Sequence, residues 1–149
     1  MSIEIKDVTK NYGTTCALDK VSVTFENNTI YGLLGRNGAG KTTLLNVITN
    51  RIFSDAGEVL IDGIPAREND EALRKVYMMS EKNYYPENIK IKDIFRWTGE
   101  FYPDFDFEYA CSLADAFELH LNKNVKSLST GYNSIFKAII ALSVNTPYV

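Results

Sequence analysis

Residues 35–42, GRNGAGKT, decide how the rest of the chain is read. The pattern is glycine, four residues, then Gly-Lys-Thr, and each residue type has a physical purpose. Gly35, Gly38 and Gly40 reach backbone conformations closed to residues with a Cβ, so successive amides can converge on one concavity suited to phosphate oxygens. Lys41 then reaches the β and γ phosphates of a nucleotide, and the Thr42 hydroxyl is a ligand for Mg²⁺. A helix opening at Lys41 adds the positive end of its dipole to the same anion site. Before the loop, Ile30, Tyr31, Leu33 and Leu34 form a β-prone apolar run; after it, Leu44, Val47, Ile48 and Ile52 recur at helical spacing. Strand, glycine loop and helix is the order a phosphate site needs, and the alternative is a plain glycine-rich turn that binds nothing.

Composition sets the frame around this loop. A chain of 149 residues with 45% hydrophobic content suits one domain, 1–149, with a real core. Its net charge of −3, from 16 basic and 19 acidic residues, implies no general attraction to nucleic acid or to an anionic membrane. Cys16 and Cys111 have no CxxC or Cys/His spacing and read as reduced thiols. The first six residues carry charges and no apolar core, unlike a secretory signal. No apolar run approaches the roughly 18 residues that span a bilayer. The best candidate, 135–144, is interrupted by Lys137. Service to a membrane would therefore go through a partner.

Taken in order, Ile3 and Ile5 alternate with Glu4 and Lys6, predicting a first strand toward Val8. Val21, Val23 and Phe25 predict a second, and Asn27-Asn28 a turn into the strand before the loop. A tight connection makes the first two strands antiparallel. Residues 58–62 predict a strand ending in the Asp62-Gly63 turn, which is why Asp62 is read as a turn residue and not as a metal ligand. A charged helix over 68–74 and a buried strand over 75–79 follow, then a loop over 80–86. Ile91, Ile94, Phe95 and Thr98 predict one helix face with Trp97 on its flank. Ala110, Leu113, Ala114 and Phe117 are expected inward on a helix over 107–119. Ile135, Phe136, Ile139, Ile140 and Leu142 mark a last amphipathic helix, with Ser129 or Thr130 as its N-cap. Tyr148 and Val149 look like the start of another strand.

Tyr12 ahead of the loop, the phrase ALDKVSVTFENNTIYGLLGRNGAGKTTLL and the later LSTGY make the chain resemble the nucleotide-binding subunits of ABC transporters, across all 149 residues. The resemblance implies an α/β fold of the P-loop NTPase, ABC ATPase-like kind. It would have an N-terminal antiparallel β subdomain, a parallel core sheet and a helical subdomain inserted at about 85–130, incomplete at the C-terminus. Carried over, Tyr12 stacks on adenine, a contact worth about 1 to 3 kcal/mol in comparable base stacking; the other reading is a strand-end tyrosine packed on the sheet. Asn37, Gly38, Ala39, Gly40, Lys41, Thr42 and Thr43 hold the phosphates of ATP, and Mg²⁺ falls to Thr42 and Glu81. Ser129 and Gly131 contact the γ phosphate held by a second ATP-binding subunit, identical or paralogous; the plain alternative for Ser129 is an ordinary helix cap.

Departures from the family pattern qualify this. Glu81 stands where the family has glutamine and adds a negative charge beside a triphosphate. Thr130 replaces a glycine and Tyr132 a glutamine in the signature, which predicts a weaker or asymmetric composite site. The family's acidic strand, catalytic carboxylate and switch histidine are not reached by Val149, and His120 precedes the signature. The expectation is a truncated form that binds ATP better than it hydrolyses it, with no catalytic residue of its own.

The resemblance further implies a cytoplasmic protein held at the inner face of the cell membrane by a separate transmembrane subunit, with no nucleic-acid partner. Some of Tyr84, Tyr85, Phe95, Trp97, Phe101 and Tyr102 would meet that subunit, although a helical core is the expected home for most. Direction reads as export, since no substrate-capture feature is present, and the transported molecule is set by the partner. Competing classes are a non-catalytic nucleotide-binding regulatory module and a P-loop kinase. A GTPase is disfavoured because residues 122–125, NKNV, lack the aspartate that reads guanine.

Overall fold

Apolar alternation at Ile3 and Ile5 drives the first strand against its neighbour, but the next buried residue is Val8, one position out of phase. In a computed structural model, which describes residues 1–149, the phase is corrected by bulges. Strands β1, Ser2–Tyr12, and β2, Thr15–Glu26, pair antiparallel with Ile3 opposite Phe25 and Ile5 opposite Val23. Register shifts lie between Ile5 and Val8 and between Val8 and Lys10, where Asp7 and Lys20 adopt positive φ of 49° and 47°. The extra residue returns Val8 and Leu18 to the inner face. Strand β3, Ala56–Ile61, pairs with the other edge of β1, and the short β4, Ile64–Pro65, completes a sheet of order β2-β1-β3-β4. Gly57 is where β3 presses on the β1 bulge: a Cβ there would overlap the carbonyls of Lys6 and Asp7.

Helix α1, Lys41–Ile48, lays Leu44, Val47 and Ile48 into the same core as Ile5, Val8 and Ile61. This first unit, Met1–Val76 with Tyr148, has its own apolar cluster. Asp62 is its polar bolt. In the β3–β4 turn, at φ 52°, its carboxylate accepts from the Ser2 amide at 3.1 Å, Lys75 Nζ at 3.1 Å and the Tyr148 hydroxyl at 2.7 Å. Burial pushes that carboxyl up, yet the Tyr148 and Lys75 donors outweigh it and leave it below the ordinary carboxylate value. Burial first, and then the same contact, raises the Tyr148 hydroxyl above its ordinary value.

Asp62→Asn is therefore expected to lower stability in a urea melt at pH 7 by about 1 to 2 kcal/mol, the scale of a lost charge-assisted hydrogen bond partly screened by solvent. Because the folded-state value of Asp62 is depressed, its contribution is present above about pH 4 and lost as pH falls through the lower folded value. The gap between variant and parent should narrow in acid.

The second unit, Tyr77–Pro147 with Val149, is helical. Helix α2, Asp70–Leu73, belongs to the first unit and is a single turn, because Glu68 turns left-handed and Asn69 caps it through the Ala72 amide. Helices α3, Ile91–Phe101, α4, Phe107–Ala116, and α5, Thr130–Ser143, surround Phe95 and Phe136, whose rings stack at 6.2 Å. A 3₁₀ turn, Val125–Ser127, leads toward α5. The expected α3 face, Ile91, Ile94, Phe95 and Thr98, is buried.

Several expected placements are corrected. Residues 30–34 form no strand: Ile30 and Leu34 are 102% and 93% exposed, because a parallel strand exists only with hydrogen-bonding neighbours and none flank it. Tyr31 anchors the segment, its ring 5.0 Å from Phe25 and its hydroxyl accepting from the Glu26 amide. Residues 75–79 likewise reduce to one parallel bridge between Val76 and Tyr148, so the parallel part of the fold is that bridge. Phe117 is exposed because it lies past the last turn of α4 as its C-cap, and Leu142 because it falls on the α5 face opposite Phe136, Ile139 and Ile140. Of the six aromatics expected at that helical unit, Tyr84, Trp97 and Phe101 are exposed too, while Phe95 is in the core with Tyr85 and Tyr102 half-buried against it.

Candidate functional site

Gly40 and Lys41 create the site by ending an irregular loop in a helix with no side-chain cap. Gly40 caps α1 at φ 86°, ψ 0°, and the first intrahelical bond runs from the Leu44 amide to its carbonyl at 2.8 Å. Ala39 N donates to Arg36 O within the loop. The amides of Asn37, Gly38, Gly40, Lys41, Thr42 and Thr43 have no protein acceptor. Six main-chain donors on seven consecutive residues, at the positive end of a helix, form a concentrated anion site. Gly38 has φ 84°, and a Cβ there would meet nothing within 4 Å, so the backbone is open on that side.

Lys41 Nζ bends back over the loop and donates to Gly35 O at 2.6 Å and Arg36 O at 2.9 Å. That leaves one of its three N–H directions for a ligand and holds the ammonium at the mouth of the cradle. Thr42 is exposed and Thr43 half-buried, both at the N-terminus of α1. The loop rests on the β1–β2 hairpin: a Cβ on Gly40 would overlap the Ala17 carbonyl oxygen and come 3.1 Å from Leu18 Cδ2. Tyr12, opposite Thr15 near the same end of that hairpin, is 51% exposed. Lys10 Nζ lies 5.8 Å from its ring centroid while bonded at 2.9 Å to Asp55, which also accepts from the Asn11 amide at 2.7 Å. The Lys10 hydrogen bond, then the Asn11 amide, hold the Asp55 carboxyl below its ordinary value. Tyr12 thus offers an open aromatic face on a hairpin end that Asp55 pins in place.

Glu81, Ser129 and Gly131 lie in the second unit. Ser129 caps α5, accepting from the Tyr132 amide at 3.3 Å, and Gly131 is exposed within its first turn. Ser129 and Tyr132 line an open cleft of about 840 Å³ with Lys123 and the exposed His120. The side chain of Glu81 is exposed and forms no ion pair, while its carbonyl accepts from Lys137 Nζ at 2.6 Å. The sequence reading missed the supporting contacts of Ala17, Lys10, Asp55 and Lys137. Only Lys137 left a signal, as a charge inside an apolar helical run.

The donor set fits a polyphosphate: amides and an ammonium, with no carboxylate in the loop. No three His, Cys, Asp or Glu side chains converge on a metal site anywhere in the chain. A divalent cation here would be completed by phosphate oxygens and water, the usual manner of Mg²⁺.

Residues 18–149 match the family described as ABC transporter. The chain is 32% identical over 141 residues to the ABC transporter ATP-binding protein YtrB of Bacillus subtilis, covering 95% of this chain and 48% of that protein. It is 36% identical over 94 residues to the petrobactin import ATP-binding protein YclP of the same organism, covering 62% and 37%. The chain therefore spans about half or less of the length of these relatives. Among solved structures, an ATP-binding subunit of an ABC transporter superposes with a TM-score of 0.88 at 22% identity, over 99% of this chain and 65% of that one, a likeness of fold. A Pyrococcus furiosus protein named as a putative ABC transporter ATP-binding protein gives 0.78 at 25% identity over 98% and 72%.

Proposed function

The chain belongs to the ABC transporter family, and from that premise we propose that residues 1–149 form the ATP-binding part of a transport ATPase subunit, read as one nucleotide-binding domain. The observation that carries this is the run of six unbonded amides at 37–43, with the Lys41 ammonium held over it. These donors bind the phosphates of ATP, Tyr12 takes the adenine, and Thr42 and Glu81 are the residues assigned to Mg²⁺, which would supply neutralisation of phosphate charge. Ser129 and Gly131, at the open N-terminus of α5, bind the γ phosphate carried by a second ATP-binding subunit.

The role proposed for these 149 residues is nucleotide binding, carried by the loop amides and the Lys41 ammonium. Coupling to transport goes through a separate transmembrane subunit at the inner face of the cell membrane. Of the aromatics named for that contact, Tyr84, Trp97 and Phe101 are exposed. No helix of the chain is long and apolar enough to cross a membrane. Import in the name of the petrobactin relative weighs against the export expected from the sequence.

The test is association driven by nucleotide. ATP with Mg²⁺ is expected to shift the chain toward a dimer in light scattering, and Ser129→Arg to remain monomeric while still binding ATP in a calorimeter. Equal ATP-driven association of the variant would overturn the composite site. Absence of any ATP binding by the parent chain would overturn the nucleotide reading.

A further inference from the structure

Lys137 is 6% exposed, and its ammonium has no carboxylate partner. A buried unpaired ammonium is expensive, and a methionine would fill the same volume without that penalty. What the ammonium does instead is specific: Nζ donates to two consecutive carbonyls, Ser80 O at 3.0 Å and Glu81 O at 2.6 Å, which lie 57 and 56 residues away in sequence. These are the only acceptors it has. Lys137 belongs to α5, the helix capped by Ser129, about 12 Å further along its axis. One side chain thus joins the loop of the metal-ligand candidate to the helix of the second-subunit contact.

We infer that Lys137 is a positioning residue, fixing the backbone at Glu81 against α5 so that the metal-dependent part of nucleotide binding depends on that helix. The inference rests on the nucleotide reading above. Binding the Glu81 carbonyl and not its carboxylate leaves the carboxylate available to a cation. A loop held at two successive carbonyls has little freedom to turn Glu81 away, whereas a loop without the ammonium would have to sample the productive position.

The test is a double-mutant cycle on the full chain, with ATP affinity measured by calorimetry in Mg²⁺ and in EDTA. Lys137→Met is expected to leave the affinity in EDTA within about twofold and to cut the gain given by Mg²⁺ about fivefold, the net scale of one ordinary hydrogen bond. Glu81→Ala should remove the same gain, and the double variant should be no worse than Glu81→Ala alone. Lys137→Arg, which retains donors and charge, should recover most of it. If Lys137→Met fails to show a cooperative melt, Lys137→Gln takes its place in the cycle. An undiminished Mg²⁺ gain in the folded variant, or losses that multiply with Glu81→Ala, would overturn the inference. Absence of ATP binding by the parent chain in both buffers would instead remove the nucleotide reading on which it rests.

Discussion

Lys41→Ala is expected to weaken ATP binding by on the order of 10- to 100-fold in a calorimetric titration, the range for one charge-assisted contact of about 1.5 to 3 kcal/mol. The ammonium contacts only Gly35 O and Arg36 O, and both residues are exposed, so water can replace it there. Stability should accordingly change by no more than about 0.5 kcal/mol, as for surface substitutions generally. A variant that keeps its melting curve and loses its ligand separates the role of the ammonium from that of the fold. Unchanged ATP affinity would mean that the amides bind no triphosphate, and the functional reading would fall.

Gly40→Ala should damage both properties. At φ 86° an alanine is strained by about 1 to 3 kcal/mol, and its Cβ would also overlap the Ala17 carbonyl oxygen. Relief requires the loop to lift from the hairpin, which moves the Lys41, Thr42 and Thr43 amides off their common focus. The expected result is a melting temperature lower by about 5 °C or more, with at least a tenfold loss of ATP affinity. Gly38→Ala is the control, since φ is 84° but a Cβ meets nothing within 4 Å. It carries the strain without the overlap, so a larger stability loss at 38 than at 40 would contradict the packing described here.

Local signals read well. The hairpin, the Asp62-Gly63 turn, the α3 face of Ile91, Ile94, Phe95 and Thr98, and the Ser129 cap all follow from period or from a short polar side chain in the right place. Gly38, Gly40 and Lys41 were legible for the same reason, because the loop encodes its own geometry. What failed was non-local. Residues 30–34 have the composition of a strand, but strandedness is a property of pairs, and no neighbour pairs with them. The bulges at Asp7 and Lys20 shift the alternation by one residue, and only the packed sheet reveals where. Lys137 read as an interruption until its two acceptors, more than fifty positions upstream, were known.

The five residues from Ile30 to Leu34 also govern how the chain behaves at the bench. A β-prone stretch with bare main chain and oily side chains is sticky toward other copies of itself, whatever the nucleotide. Aggregates that form without ATP would have this strip as their source. Only the increment that ATP adds to such a background reports on the face headed by Ser129.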